Sequence, residues 1–380
     1  MLAKLAITSG TSWRLTAFAH PNDLHTRNTK QDGEQTDVFN DASDFGLNLG
    51  KPFTLASRLS GRLGLDYFGR RGVSSRETTR LAPGDSNAAP PPLRTLDGGE
   101  QDEAALYGSL SWKWSEATIQ GGNRVTWQRQ ENDGTPQVDG AAWNGFVGLV
   151  LPVGTTLLLS GDLGSGFRFP SLSERFFTGT TGRGGVIGNP DIESERSLNL
   201  DLGVRWQPGR GRHSLAGHVF RNRIEDYIER VELEPDLFSF ENLTSGTIAG
   251  LELDISHDLS KRWQLSWTGH LIEGRAGDEP LADIPADRLE LTLRRIQEHW
   301  RWEAGWEYRD GKTDPGPGEK TIPAAQLVSA GVTWTWRPNV SVSASASNLL
   351  DDEYFNSADE KVPLAPGRSL AIALTWGETR

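Results

Sequence analysis

The sequence predicts an all-β protein, an antiparallel up-and-down transmembrane β-barrel with about seventeen strands. Apolar and polar residues alternate over stretches of about 9–15 residues along the whole chain. Short turns and long polar connections follow one another between these stretches, which is the order of a membrane barrel and not of a Greek-key sandwich. Tryptophans cluster beside the short turns. These three observations together indicate strands that cross a lipid bilayer.

The alternation is clearest at 198–206, where Leu198, Leu200, Leu202, Val204 and Trp206 are separated by polar or small residues. Four further segments show the same pattern, at 55–66, 106–114, 300–309 and 369–376. A membrane-crossing strand needs about 9–11 residues, whereas strands of globular proteins average about 5–6. The length therefore favours strands in lipid, with apolar side chains toward lipid and polar side chains toward the lumen.

The predicted connections fall into two classes. Short turns are expected at 9–11, 51–54, 115–117, 152–154, 208–211, 259–261, 297–299 and 337–339. Long polar connections are expected at 21–36, 70–103, 130–140, 169–196, 229–240, 276–287, 310–322 and 350–367. Outer-membrane barrels have short periplasmic turns and longer extracellular loops, so this order predicts one short-turn rim and one long-loop rim.

Tryptophan placement predicts an interfacial girdle rather than scattered core positions. Nine tryptophans lie within about three residues of a predicted short turn, and a tenth closes the last strand: Trp13, Trp112, Trp114, Trp206, Trp263, Trp300, Trp302, Trp334, Trp336 and Trp376. Indole rings favour the headgroup level of a bilayer, where the ring is in apolar surroundings and the N–H is wet. A core tryptophan has no reason to follow turn length.

Composition excludes several classes of protein. The chain has 380 residues, a net charge of −12 and no cysteine, which excludes disulfides, thiolate metal sites and cysteine nucleophiles and disfavours nucleic acid as a partner. No apolar run reaches the about 18 residues that a transmembrane helix needs. No cluster of catalytic residue types stands out, so we expect no enzyme, no cofactor and no bound metal ion.

The start of the chain suggests that an upstream part exists. The segment 1–10 lacks the basic region followed by an apolar region that marks a signal peptide, and an outer-membrane protein needs one. An odd number of strands points the same way, because bacterial single-chain barrels have even numbers. We therefore expect at least one further strand upstream.

Six motifs, in order over residues 165–376, carry a family resemblance. The segment 166–176, GFRFPSLSERF, resembles the GFRAPSLSERF stretch of TonB-dependent receptors, and GNPD at 188–191 resembles their GNPxLxPExS element. Asn242 with Gly250, IP at 284–285, NLLD at 348–351 and PGR at 366–368 are similar to four later motifs of that family. The motif residues are Phe167, Pro170, Asn189, Pro190, Gly250, Asn348, Asp351, Tyr354, Gly367 and Arg368. We expect most of them to have structural roles, since Pro ends strands and Asn and Asp suit turns.

The resemblance implies a bacterial outer-membrane receptor that transports a metal chelate, with a ferric siderophore as the expected ligand. It implies that 1–380 is one barrel domain of the 22-stranded type. The family's signal peptide, N-terminal plug, TonB box and first strands are not recognisable here, so contact with the TonB complex is expected only through that plug. The implied partners are outer-membrane lipid and a small metal chelate. A passive porin, a structural barrel, and a haem or cobalamin receptor are the alternatives.

The long connection 169–196 and the strand end before it hold the predicted ligand contacts. We expect Arg168, Glu174, Phe176, Phe177 and Arg183 to contact an anionic ferric chelate, against the alternative of a solvated loop. Haem receptors of the family are expected to have a histidine in the stretch equivalent to 171–188, and none occurs there. His20 and His25 flank a predicted outer loop and are interpreted as exposed residues rather than as a metal-binding pair.

Overall fold

A computed structural model describes residues 3–9, 13–85, 87–181, 184–208 and 211–377. Within these ranges the protein forms twenty strands and one short helix: β1 Ala3–Ser9, β2 Trp13–Thr29, β3 Gln35–Ala56, β4 Leu59–Arg80, β5 Leu93–Trp114, β6 Ala117–Glu131, β7 Val138–Val153, β8 Leu157–Arg168, α1 Leu172–Phe176, β9 Thr178–Thr181, β10 Gly184–Ile187, β11 Glu195–Trp206, β12 His213–Glu234, β13 Leu237–Asp258, β14 Trp263–Ala276, β15 Glu279–Pro280, β16 Arg288–Gln297, β17 Trp300–Arg309, β18 Ala325–Arg337, β19 Val340–Ser347 and β20 Ser369–Trp376.

Three of these strands, β9, β10 and β15, have two to four residues. The remaining seventeen have between seven and twenty-two residues, for example β1 with 7 and β3 with 22. The expected number of about seventeen long strands is confirmed for the described part of the chain. Helix α1 has five residues, and no helix in the described ranges is long and apolar enough to cross a membrane.

The chain divides into two compact units. Unit 1 consists of residues 1–148, 164–198 and 224–245, and unit 2 of residues 149–163, 199–223 and 246–380. In unit 1 the strands β1 to β6 pair consecutively and antiparallel. In unit 2 the same antiparallel order runs through β14, β16, β17, β18, β19 and β20. Each unit therefore has the predicted up-and-down order.

Five predicted short turns are present, at 115–116, 154–156, 259–262, 298–299 and 338–339, and those predicted at 9–11 and 208–211 lie partly outside the described residues. The turn predicted at 51–54 is wrong, because β3 continues through it and turns at 57–58. Pro52 suggested a turn, but in the structure it lies within β3 and pairs with Arg62 of β4. Proline is tolerated in a strand where its nitrogen is not needed as a ladder donor.

The long connections predicted at 21–36 and 229–240 are wrong as well, and the one predicted at 70–103 is much shorter. Strand β2 runs on to Thr29 and β3 begins at Gln35, and only two residues separate β12 from β13. Strand β4 continues to Arg80 and β5 begins at Leu93. Hairpins that extend beyond the lipid have water on both faces, so polar residues occupy both faces and the alternation disappears while the strands continue. The connection at 169–194 is long and contains α1, β9 and β10.

Along β11 the apolar side chains share one face, which is largely exposed; that this face meets lipid stays a prediction. Leu198, Leu200, Leu202 and Trp206 are 44–55% exposed, while Val204 is half-buried. Leucines packed between two sheets would be buried, so this face is not a sandwich core. We call the face with exposed apolar side chains the apolar face and the opposite one the polar face.

The ten tryptophans predicted to form a girdle are all exposed, from 38% for Trp263 to 78% for Trp376. They lie at strand ends beside short connections, and neighbours stack, for example Trp300 with Trp334 at 6.0 Å between ring centres. A common height for all ten along one axis stays a prediction.

Most buried apolar residues lie in the long connections or at the strand ends beside them. In unit 1 Leu96, Leu172 and Phe176 form a cluster, with Val73 and Val138 packed against it. In unit 2 the buried apolar residues include Leu281, Ala282, Ile322 and Ala358, which lie in or beside long connections. The long connections are therefore packed structures, and they position the polar side chains described next.

Candidate ligand-binding site at the long-loop ends

Arg168 at the end of β8 is the centre of an ion-pair cluster in unit 1. Its Nε and Nη2 donate to the carboxylate of Glu195 at 2.8 and 2.7 Å, and its Nη1 donates to Glu174 at 2.8 Å. The same Glu174 closes a capping box at α1 with Ser171. One guanidinium thus joins a strand end, the helix start and β11, an arrangement that we call the Arg168 latch.

Helix α1 buries one face against the sheet. Arg175 is 7% exposed, and its guanidinium donates to the carbonyl of Pro190. Burial lowers the pKa of Arg175, and the nearby carboxylates of Glu174 and Asp191 partly offset that effect. The loop after the helix passes so close that a Cβ on Gly188 would lie 2.7 Å from the Arg175 carbonyl oxygen. The sequence motif therefore encodes a tightly packed loop.

The two asparagines of the unit 1 motifs bind backbone groups. Asn189 donates to the carbonyl of Phe240 at 2.9 Å and accepts the amide of Asp191 at 3.0 Å. Asn242 accepts the amide of Glu193 at 2.7 Å and donates to its carbonyl at 3.1 Å. A side-chain amide has both a donor and an acceptor, so it can satisfy the N–H and C=O groups of a loop peptide that is not paired in a sheet. These contacts tie the 188–194 segment to β13.

The residues of unit 1 that were predicted to contact a ligand differ in their contacts and burial. Arg168 and Glu174 bind each other, Phe176 is 9% exposed in the apolar cluster, and Phe177 is half-buried. Arg183 lies outside the described residues. Nearby, the rings of Phe167 and Phe169 meet at 5.0 Å, and the carbonyl of Pro170 accepts a bond from the buried Gln130. Direct contact of these side chains with a ligand stays a prediction.

His20 and His25 were expected beside an outer loop, but both lie within β2. His25 Nε2 is 2.7 Å from Asp37 Oδ1, and Arg27 Nε is also 2.7 Å from that oxygen. Asp37 is 2% exposed, so the imidazole of His25 and the guanidinium of Arg27 provide polar partners for a buried carboxylate. Among the described residues no three His, Cys, Asp or Glu side chains are placed to hold a metal ion.

The unit 2 motif at 348–368 is a turn closed by side chains. Asn348 donates to the carbonyl of Asp352 at 2.9 Å and accepts its amide at 3.0 Å. Asp351 accepts the amide of Arg368 at 2.8 Å, and a Cβ on Gly367 would lie 3.0 Å from the same carboxylate oxygen. Tyr354 lies under the guanidinium of Arg309, 4.8 Å from ring centre to Cζ. Gly250, the remaining motif residue, leaves room for Phe220 across the strand.

Replacing Asn348 tests whether this turn is structural. Its φ is +48°, and it is 4% exposed. In Asn348→Ala the alanine has to adopt the left-handed conformation, and the two hydrogen bonds to Asp352 are lost. We therefore expect the free energy of unfolding to fall by about 2–3 kcal/mol. Asn348→Gly relieves the backbone cost only and should recover about 1 kcal/mol of that loss. Urea unfolding in liposomes measures both; equal stability of all three proteins would contradict the role.

A cavity of about 380 Å³ lies at the long-loop end of unit 2. Its floor is a row of basic residues on the polar face, His270, Arg288 and Arg309, which lie directly opposite one another on β14, β16 and β17. Its sides come from the connections at 283–286, 310–322 and 355–358. The volume is in the range of small-molecule sites.

The cavity is lined by charges that are already held in place. Lys312 donates to the carbonyl of Ile284 at 3.0 Å and pairs with Glu319, whose side chain is 4% exposed. Arg309 donates to Asn356 at 3.0 Å, and Arg288 lies 2.8 Å from Glu307. These pairs fix the cationic side chains in one geometry, which lowers the entropy cost of binding an anion.

The row formed by His270, Arg288 and Arg309 was not predicted from the sequence. None of His270, Arg288, Arg309 and Lys312 is among the residues predicted from the sequence to contact a ligand. The available signal is that all three floor residues sit on the polar face of strands that adjoin in the chain. The strand register decides whether these residues lie opposite one another, and the register was not predicted.

Residues 3–349 match the TonB dependent receptor-like, beta-barrel family. The chain belongs to this family. The strands, the exposed tryptophans at the strand ends and the packed loops are therefore parts of a TonB-dependent receptor barrel, whose location is the bacterial outer membrane.

Individual relatives agree with the TonB-dependent receptor assignment. An iron-regulated outer membrane virulence protein of Vibrio cholerae is 24% identical in an alignment over 221 residues that covers 51% of this chain and 33% of that protein. The copper transporter OprC superposes with a TM-score of 0.83 at 16% identity, over 97% of this chain and 63% of OprC. The pyoverdine outer membrane receptor FpvA of Pseudomonas aeruginosa gives a TM-score of 0.74 at 15% identity, over 99% and 61%. The chain thus spans about a third of the curated relative and less than two thirds of these structures.

Proposed function

We propose that this chain is the membrane-embedded part of a receptor that takes up a metal chelate, specifically a ferric siderophore, in a TonB-dependent manner. The cavity of unit 2 carries the proposal, because His270, Arg288 and Arg309 form its floor on the polar face at the loop end of the strands. Lys312 and the carboxylates of Asp283, Asp310 and Glu319 line its sides. Many ferric chelates are anionic, and fixed guanidinium groups bind carboxylate and similar anions strongly. The iron-regulated relative and the pyoverdine receptor support iron as the metal.

The candidate residues of unit 1 belong to the same proposal. Arg168, Glu174, Phe176, Phe177 and Arg183 would contact the ligand, or hold the loop that contacts it, within unit 1. Phe177, which is half-buried, is better placed for direct contact than the buried Phe176. Contact with the TonB complex would pass through a plug domain, as in the family.

The proposal is tested in the source bacterium under iron limitation. Deleting the gene should abolish growth on one ferric siderophore, and the full-length gene should restore growth only in cells with TonB. Unchanged growth on every ferric chelate of a broad panel would contradict the iron proposal. Uptake of small hydrophilic solutes without TonB, together with a steady open conductance of the purified full-length protein in planar bilayers, would favour a porin instead.

A further inference from the structure

Arg295 is a cationic residue on the apolar face of unit 2. It lies on β16 directly opposite Trp263 of β14 and Trp302 of β17, and opposed residues in antiparallel strands share a face. Its Cζ is 5.4 Å from the Trp263 ring centre. Arg295 is two residues from the end of its strand, so it lies at the level of the girdle tryptophans.

No carboxylate pairs with Arg295 among the residues that the structure describes. Its Nη2 donates to the amide oxygen of Gln297 at 2.7 Å, and its buried Nε has no hydrogen-bond partner. On the polar face of β16 and β17, by contrast, Arg294 pairs with Glu303 at 2.7 Å and Arg288 with Glu307 at 2.8 Å. An unpaired guanidinium on a surface that meets lipid is costly unless an anion outside the protein neutralises it.

A shallow apolar trough begins beside Arg295 and extends toward the middle of the strands. Ala304, Ala330 and Ala346 lie opposite one another on β17, β18 and β19 and form its floor, while Leu293 and Leu370 stand at its two sides in the same row. Its volume is about 440 Å³. Three strands at about 4.8 Å spacing make the floor about 10 Å wide, which is enough for acyl chains.

We propose that Arg295 and this trough bind one membrane phospholipid. The phosphate diester pairs with the Arg295 guanidinium beside the indole of Trp263, and an acyl chain lies over the alanines. A phospholipid has an anionic phosphate at the headgroup level and acyl chains below it. The protein presents a cationic side chain at the level of the tryptophans and an apolar trough next to it, which matches that order. Guanidinium and phosphate oxygens form strong charge-assisted hydrogen bonds. The inference depends on membership of the barrel family and not on which ligand is transported.

Native mass spectrometry of the full-length protein, titrated with phosphatidylglycerol in detergent, tests the proposal. We expect one phospholipid to remain on each wild-type chain at activation energies that remove the others. Arg295→Gln should weaken this binding about tenfold or more, because it removes the charge that the phosphate meets. Arg295→Lys should retain more than half of the bound lipid. Arg301→Gln, an exposed arginine of β17 opposite Thr333, is the control and should bind as the wild type does.

A second set of measurements separates the trough from the charge. Ala330→Leu fills the floor and should also weaken binding, whereas inorganic phosphate at the same concentration should not displace the lipid. Wild-type binding by both Arg295→Gln and Ala330→Leu, in variants whose heat-modifiable mobility shows that they are folded, would overturn the proposal. Full displacement by inorganic phosphate would also overturn it, in favour of a simple anion site. A dimer that Ala330→Leu dissociates, with no retained lipid, would overturn it in favour of a second copy of the chain.

Discussion

Leu200→Arg is expected to lower the free energy of unfolding by about 2–4 kcal/mol in liposomes, because it places a charge on the lipid-facing side near the middle of β11. Leu200 is the sixth of twelve residues in this strand and is 44% exposed. At that depth the arginine side chain cannot reach the headgroups without bending the bilayer or the strand. Equilibrium unfolding in urea from liposomes of defined thickness measures the change.

The neighbouring residue provides the matched control. Asn199 points to the polar face of the same strand, and Asn199→Arg adds the same charge where water is available. We expect a change of less than about 1 kcal/mol for that variant. Equal losses for the two arginine variants would mean that the two faces of β11 meet similar surroundings, which contradicts a strand in a membrane barrel.

Arg168→Met is expected to destabilise the loop at 169–194. The substitution leaves the carboxylates of Glu174 and Glu195, whose side chains are 16% and 12% exposed, without their shared cation. Breaking a fully buried pair costs about 3–5 kcal/mol. The Arg168 side chain is 43% exposed, so solvent screens the interaction and we expect about 1–3 kcal/mol here. Limited proteolysis should show faster cleavage between α1 and β11 than in the wild type.

Neutralising one of the two carboxylates that Arg168→Met leaves without a cation should restore part of the loop's resistance to proteolysis. Glu195 also accepts the amide of Ile228 at 2.9 Å, and Gln at that position keeps an acceptor for this bond. The double variant Arg168→Met with Glu195→Gln should therefore be cut more slowly than Arg168→Met alone. A double variant that is cut faster would show that the loop depends on contacts other than the Arg168 latch.

The strands were predictable because lipid imposes a simple rule on them. Residues such as Leu200 and Leu202 have to be apolar wherever a strand crosses the hydrocarbon layer, and this rule produces a period of two that is visible without any structure. The same constraint places Trp300 and Trp334 beside the short connections. Outside the lipid both faces of a strand meet water, so residues on neither face have to be apolar. The part of β2 that continues to Thr29 therefore shows no alternation in the sequence.

The candidate site was harder to predict because it depends on register and on loop packing. The motif 166–176 identified Arg168, but the sequence cannot show that its guanidinium is shared by Glu174 and Glu195, which are 6 and 27 residues away. The row of His270, Arg288 and Arg309 depends on which residues of three strands lie opposite one another. A slip of one residue would place them on the other face.

A spin-label scan along β11 is the most direct measurement of whether these strands lie in a membrane. The chain has no cysteine, so single-cysteine variants from Leu198 to Trp206 can be labelled without background. In liposomes, accessibility to molecular oxygen, which concentrates in lipid, should peak at 198, 200, 202 and 206. Accessibility to a water-soluble nickel chelate should peak at 199, 201, 203 and 205. Exclusion of both reagents from 198, 200 and 202 would place these leucines in a protein core and contradict a transmembrane barrel.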